Sequence, residues 1–302
     1  YYALLHDATR DETYNKDVIT IVCIGQNTSD TIHVEPAGTL SELAGDPEAI
    51  VNLTLTGYLN GTDIKFIRSL KNLQRLDISG ARIVEGGDKY YQNYLTANDI
   101  TGDYMFCNLP NLTRLVLSNH TTKIATAALS NCTGLTEIEI PASVTSVEKA
   151  VFNGCNQLLL INWNAQAAIT AESFDTPAKM ENLLIFAPEG TGCTYEGNVV
   201  INGIAEKISL THGKGFRSPQ AFKAKDITYK RNFSMKSGNK INAAGWEAIV
   251  LPFDVQSFSN EKQGELAAFN SGKKGAKPFW LAQMTTDGFE HTTAMKANKP
   301  YI

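Results

Sequence analysis

The chain reads as a solenoid of stacked parallel strands with a period of 23 residues, preceded by an N-terminal cap and followed by an all-β module. Three observations predict it. First, Leu112, Leu135 and Leu158 stand 23 residues apart, as do Ile50 and Leu73. Second, two more apolar columns keep step with this one. Leu53, Leu76, Leu115, Ile138 and Ile161 form the first, and Leu55, Ile78, Leu117, Ile140 and Trp163 the second. Alternation between them marks a short strand in each repeat. Third, Phe106, Leu129 and Phe152 recur at the same interval between strands, with Ala127 and Ala150 two residues before the latter pair. A fixed period of this length means that each repeat buries its apolar face only against its neighbours.

Residues 1–45 form the expected cap. Val18-Ile19-Thr20-Ile21-Val22-Cys23-Ile24 has the β-branched run of a strand. Thr39-Leu40-Ser41-Glu42 fits a capping box that opens a short helix. Residues 46–190 are the repeats, and Thr62-Asp63 before Ile64, Ile67 and Leu70 reads as a capped helical turn in the first of them. The step from Leu73 to Leu112 exceeds one period, and the inserted stretch lies within residues 84–101. That insertion carries Tyr90, Tyr91 and Tyr94. Tyrosines suit ligand contact, and they equally suit pinning the loop back onto the solenoid. Near Pro188-Glu189-Gly190 turn residues break the pattern, so residues 191–302 are taken as the β module. Its strand-like pieces are Val199–Ile201, Lys207–Leu210, Ile227–Tyr229 and Ala248–Leu251. Pro300-Tyr301 reads as the opening of a further strand, which places the native end of the chain beyond Ile302.

Hydrophobic content of 43% with 19% charged residues is that of a folded protein. No apolar run is long enough for a membrane helix. The net charge of −4 is unevenly spread. Residues 1–204 hold 12 basic and 23 acidic side chains (net −11), and residues 205–302 hold 15 and 8 (net +7). The scattered lysines carry no nucleic-acid motif, so no nucleic-acid partner is expected. Cys132 and Cys155 share the column of Leu70 and Leu109, a small apolar slot. Stacked repeats lie about 5 Å apart, which does not forbid a disulfide, but parallel Cβ vectors disfavour one. A ladder of thiols is expected.

The run Leu129-Ser130-Asn131-Cys132-Thr133-Gly134-Leu135-Thr136-Glu137-Ile138-Glu139-Ile140-Pro141, with Val144, Val147, Ala150, Phe152 and Cys155 after it, resembles the BspA-type leucine-rich repeat. Ala37–Leu40 and Leu59–Lys65 resemble the N-terminal part of such proteins from Bacteroides. Gly245–Asp254 and Ala297–Tyr301 resemble the β module that often follows. The resemblance implies a leucine-rich-repeat solenoid, secreted or held on the outer-membrane surface, with a lipid anchor on a removed N-terminal segment. It also implies adhesion to host extracellular matrix or to other bacterial surfaces. The first two repeats are richer in leucine than the family pattern, and the tyrosine insertion lies outside it.

Nothing in the sequence assembles catalytic chemistry. The five histidines are far apart, no metal-ligand spacing appears, and no nucleophile elbow, phosphate loop or dinucleotide fingerprint is present. No enzyme activity, cofactor or metal is expected. Trp246 and Trp280 read as core residues of the β module rather than a sugar platform. The candidate binding surface is the open face of the strands. If the columns point inward, Arg75, Asp77, Arg114, Val116, Glu137, Glu139 and Asn162 point outward, together with Asn52, Thr54 and Leu160. Such a face predicts a protein partner. A glycan bound by the tyrosine insertion or the basic module is the alternative, and a structural spacer is a third reading.

Overall fold

A computed structural model describes residues 29–174, 180, 182–232 and 247–302. The expected strand at Val18–Ile24 lies outside them. In chain order the elements begin with β1 (Ser29–Val34), α1 (Leu40–Leu43), β2 (Asn52–Leu59), α2 (Gly61–Ser69) and β3 (Arg75–Ile83). A hairpin, β4 (Gly86–Tyr91) and β5 (Tyr94–Thr96), precedes β6 (Ile100–Thr101), β7 (Arg114–Val116), β8 (Lys123–Ile124), β9 (Glu137–Ile140), β10 (Ser146–Val147) and β11 (Leu160–Trp163). Then come β12 (Leu184–Ala187), β13 (Asn198–Ile201), β14 (Ile204–Thr211) and β15 (Lys223–Lys230).

Ten of these strands form one sheet in the order β1-β2-β3-β7-β9-β11-β12-β13-β14-β15, and pairing is parallel from β1 to β13. The register is that of the repeat: Leu53 stands beside Leu76, Leu76 beside Leu115, Leu115 beside Ile138, and Ile138 beside Ile161. All three apolar columns are buried in one continuous core. β1 continues the stack in the cap, with Ile32 beside Leu55.

The turns behind the sheet explain the second periodic set. β6, β8 and β10 make a narrow parallel sheet there, their starts one repeat period apart, and Phe106, Leu129 and Phe152 are fully buried beneath it. Backbone amides of Tyr104, Phe106 and Asn108 donate to the carbonyls of Thr126, Ala128 and Ser130 in the next repeat. This extended bonding needs a left-handed residue at fixed places. Tyr104, Ala127 and Ala150 hold φ near +55°, and Asn108, Asn131 and Gly154 are also left-handed. Thr122 and Thr145 add side-chain bonds along the stack, each donating from Oγ1 to the carbonyl one repeat back.

The cysteine column is a ladder of thiols. Cys107, Cys132, Cys155 and Cys193 are all free. Cys132 Sγ donates to the Phe106 carbonyl at 2.9 Å and Cys155 Sγ to that of Leu129 at 3.2 Å. Burial pushes both thiols up to about 12.

Two helix starts differ from the sequence expectation. Thr39 does precede α1, but its hydroxyl donates to the Pro36 carbonyl and caps nothing. The capping box sits at α2 instead. Asn60 Oδ1 accepts from the Thr62 amide, and Asp63 reaches back to the Asn60 amide. Buried Asp63 also accepts from the amides of Gly38 and Leu40, so one carboxylate ties the cap region to the first repeat.

The sheet does not stop at residue 190. β12 and β13 add two more parallel strands, and β14 returns antiparallel through the Asn202-Gly203 turn. The chain divides instead between Tyr229 and Lys230. The expected boundary falls on a turn inside the solenoid, where Pro188 and Gly190 merely shape one more coil. The second unit begins with β16 (Ile249–Val250), β17 (Phe258–Asn260), β18 (Gly264–Ala268) and β19 (Lys277–Phe279). It ends with β20 (Ala282–Thr285), β21 (Gly288–His291) and β22 (Pro300–Tyr301). Its strands make a four-stranded antiparallel sheet, β16-β22-β20-β21, and a three-stranded one, β17-β18-β19.

Candidate functional site

On the face opposite the core, the first row across the strands reads Asn52, Arg75, Arg114, Glu137, Leu160, Leu184 and Asn198. Two residues further along, the second row reads Thr54, Asp77, Val116, Glu139, Asn162, Phe186 and Val200. Toward the far end of the stack both rows gain large apolar residues, Leu160 and Leu184 in the first and Phe186 and Val200 in the second. Leu160, Leu184, Phe186 and Val200 are buried although they point away from the main core.

The following chain buries them. Asn182 and Asn198 anchor β14 by side-chain bonds to the backbone of Thr211 and Ser209. Residues 211–222 then run back across the strand starts. Asn182 Nδ2 donates to the Lys214 carbonyl, Gly215 packs at Leu159, Arg217 reaches Glu137, and Phe222 meets Phe186 edge to face at 5.9 Å. This strap leaves β1 to β9 as the open part of the face.

Within the open part, Arg75 and Arg114 are exposed, and Asp77, Val116 and Glu139 are half-buried; Asn162, on β11 beyond it, is half-buried as well. Arg75 and Arg114 are cross-strand neighbours. Glu137 is a correction: its side chain is only 9% exposed, taken by Arg114 at 3.2 Å and by Arg217 at 2.7 Å. It orients two guanidiniums and is closed to a ligand. Leu160 likewise belongs under the strap and not on the polar face. Asp77 Oδ1 accepts from the amide and hydroxyl of Ser79, so no Arg75–Asp77 pair forms. Glu139 accepts from Asn164 Nδ2, and His33 Nδ1 lies 3.0 Å from Thr56 Oγ1 at the cap end of the same face.

The tyrosine insertion is pinned to the solenoid. Tyr90 is 4% exposed, and its hydroxyl donates to the Asp103 carbonyl at 2.8 Å. Burial raises its pKa strongly. Tyr90 is therefore structural and not a ligand contact. Tyr91 and Tyr94 are half-buried and pack on Tyr104 with ring centroids 6.0 and 5.4 Å apart. Arg68 stacks over Tyr91 at 4.5 Å while its Nη1 donates to the carbonyls of Tyr104, Met105 and Cys107. At the base of the insertion Arg82 makes a two-pronged bond to Asp99, and the Asp99 amide donates to the Ile83 carbonyl. The chain thus leaves and re-enters the repeat at one point.

The second unit carries an unexpected surface. Trp280, read from sequence as core, is 52% exposed, with Phe269 at 4.4 Å and His291 at 5.1 Å between ring centroids. Trp246 lies outside the described residues. Among the described residues no group of three or more His, Cys, Asp or Glu is placed to hold a metal ion.

Parallel strands at the pitch of the repeat, apolar columns inside and a mixed-charge row outside define a leucine-rich-repeat solenoid, an architecture that typically serves as a binding scaffold. Residues 99–189 match the BspA type leucine-rich repeat region in six copies, so the chain carries BspA-type leucine-rich repeats. Proteins with these repeats are typically extracellular or at the cell surface, and the repeats commonly bind proteins. No helix among the described residues is long and apolar enough to cross a membrane. No curated protein matches the chain.

Proposed function

We propose that this is a non-enzymatic adhesion protein of the cell surface that binds a protein partner through the open face from β1 to β9. The observation that carries the reading is the contrast along the face. Where the strand rows are apolar, the chain covers them with its own strap. Where they carry Arg75, Asp77, Arg114 and Glu139, it leaves them open. Exposed, rigidly spaced charges on a strand ladder fix orientation and partner choice. Surface display, in Bacteroides or a relative and with a lipid anchor, belongs to the same proposal.

The test is binding of the purified chain to immobilised extracellular-matrix proteins and bacterial surface proteins at physiological salt. Binding to a protein, reduced about tenfold or more by Arg75→Glu with Arg114→Glu, supports the reading. That loss corresponds to about 1.4 kcal/mol or more. Binding that ignores the double variant refutes this face. A second reading is favoured by the exposed Phe269, Trp280 and His291 rings, which suit stacking on a sugar. A glycan array with hits abolished by Trp280→Ala would support it.

A further inference from the structure

The exposed charges on the open face are arranged by sign. In the first row, Arg75 stands beside Arg114, and Arg114 beside Glu137, which also holds Arg217. Two guanidiniums share that one carboxylate, and Arg75 stands one strand further along, next to Arg114. In the second row Asp77 and Glu139 flank Val116. Among the described residues no carboxylate pairs with Arg75, and no cation pairs with Asp77 or Glu139.

Neighbouring strands lie about 4.8 Å apart, so Arg75 and Arg114 are like charges at close range, and the one carboxylate beside them, Glu137, is shared by Arg114 and Arg217 and leaves Arg75 without a counter-charge. The two rows are separated by two residues of extended chain, about 6.6 Å. That is shorter than the Debye length of about 8 Å at physiological salt, so any ligand on one row feels the other.

We infer that the open face recognises a polypeptide segment carrying acidic and basic side chains in adjacent positions, with a carboxylate on the Arg75–Arg114 pair and a cation on the Asp77–Glu139 row. This rests on the protein-binding reading above. A sulfated or otherwise polyanionic glycan meets the guanidiniums equally well, but its remaining charges then lie against Asp77 and Glu139. A polypeptide can present both signs at the spacing of alternate residues, about 6.6 Å in an extended strand. A paired guanidinium site also suits the two oxygens of a carboxylate. Val116, between the two acids, offers an apolar contact for an aliphatic side chain.

The experiment is selection of a phage-displayed random peptide library on the purified chain at physiological salt, with heparin run in parallel. Selected peptides should carry Asp or Glu and Lys or Arg within a few residues of one another. Their affinity should fall about tenfold with Arg75→Glu plus Arg114→Glu and with Asp77→Lys plus Glu139→Lys, and charge-reversed peptides should regain it on the variants. Uniformly acidic peptides, or heparin binding that strengthens with Asp77→Lys plus Glu139→Lys and outcompetes the peptides, overturn the inference and leave protein binding standing. Peptides of either pattern that bind equally to both double variants place recognition elsewhere and overturn the inference together with the choice of face. Recovery of no peptide, with glycan-array hits lost in Trp280→Ala, refutes the protein-binding reading itself.

Discussion

Replacing Arg68 with alanine should destabilise the solenoid. Arg68 lies at the end of α2, and its Nη1 reaches the carbonyls of Tyr104, Met105 and Cys107 at 3.1, 2.9 and 3.1 Å. One amino group has only two hydrogens, so three acceptors at these distances amount to two shared bonds. Each bond to a charged group contributes about 1.5 kcal/mol net, which gives about 3 kcal/mol. Stacking on Tyr91 adds about 0.5 kcal/mol, and alanine recovers up to about 1.5 kcal/mol of side-chain entropy. The net expected loss is about 2 kcal/mol. Urea denaturation followed by circular dichroism should show a lower midpoint with an unchanged slope. Lysine at this position restores one charge–carbonyl contact but neither the fork nor the stack, so Arg68→Lys should fall between the two. A loss for Arg68→Ala below about 0.5 kcal/mol would mean that the carbonyls are equally well served by water, and the argument would fail.

Three other outcomes follow from the same geometry. Ala127→Gly and Ala150→Gly should be neutral or stabilising by up to about 1 kcal/mol, because alanine is strained at φ near +55° and glycine is not; a clear loss by thermal melting would contradict this. Asp99 and Glu148 have pKa values lowered by hydrogen bonds from Arg82 and Lys123, so their contribution is full above the ordinary values of 3.8 and 4.5 and is lost as pH falls through the lower folded-state values. Glu148→Gln should flatten that part of the acid denaturation curve, and an unchanged curve would exclude the Lys123–Glu148 clamp. Finally, a thiol reagent on the native chain should leave Cys132 and Cys155 unmodified until denaturant is added; labelling of either in the folded state would contradict their burial and raised pKa.

Much of this architecture was legible in the sequence because solenoid contacts are local in a special sense: each residue meets its own counterpart one period away. Leu76, Leu115 and Ile138 announce their pairing by spacing alone. The thiol column was legible for the same reason. The strap was not, because Arg217 and Glu137 meet from distant parts of the chain with no periodic relation between them. One signal did exist: Leu183-Leu184-Ile185-Phe186-Ala187 is an unbroken apolar run, the mark of a strand covered on both faces. The left-handed turns at Tyr104, Ala127 and Ala150 were hidden by residue type, since nothing about alanine or tyrosine announces positive φ. Of the candidate residues, Arg75, Asp77, Arg114, Val116, Glu139 and Asn162 lie on the face that alternation assigns them. Glu137 and Leu160 lie there too, but an unforeseen segment covers them. Trp280 departs from expectation because its exposure depends on tertiary neighbours that its own surroundings in the chain do not reveal.

The closure of the insertion at Ile83 and Asp99 divides the chain into positions that tolerate length change and positions that do not. One extra residue inside a core strand such as Glu137–Ile140 would turn the strand residues beyond it to the opposite face. Between Ile83 and Asp99 the two ends already touch, so residues added at the Gln92-Asn93 tip, beyond the pinned tyrosines, alter chiefly a loop-closure entropy that grows slowly with length. Variation in this protein has a safe outlet there, uncoupled from the spacing of the charges on the open face.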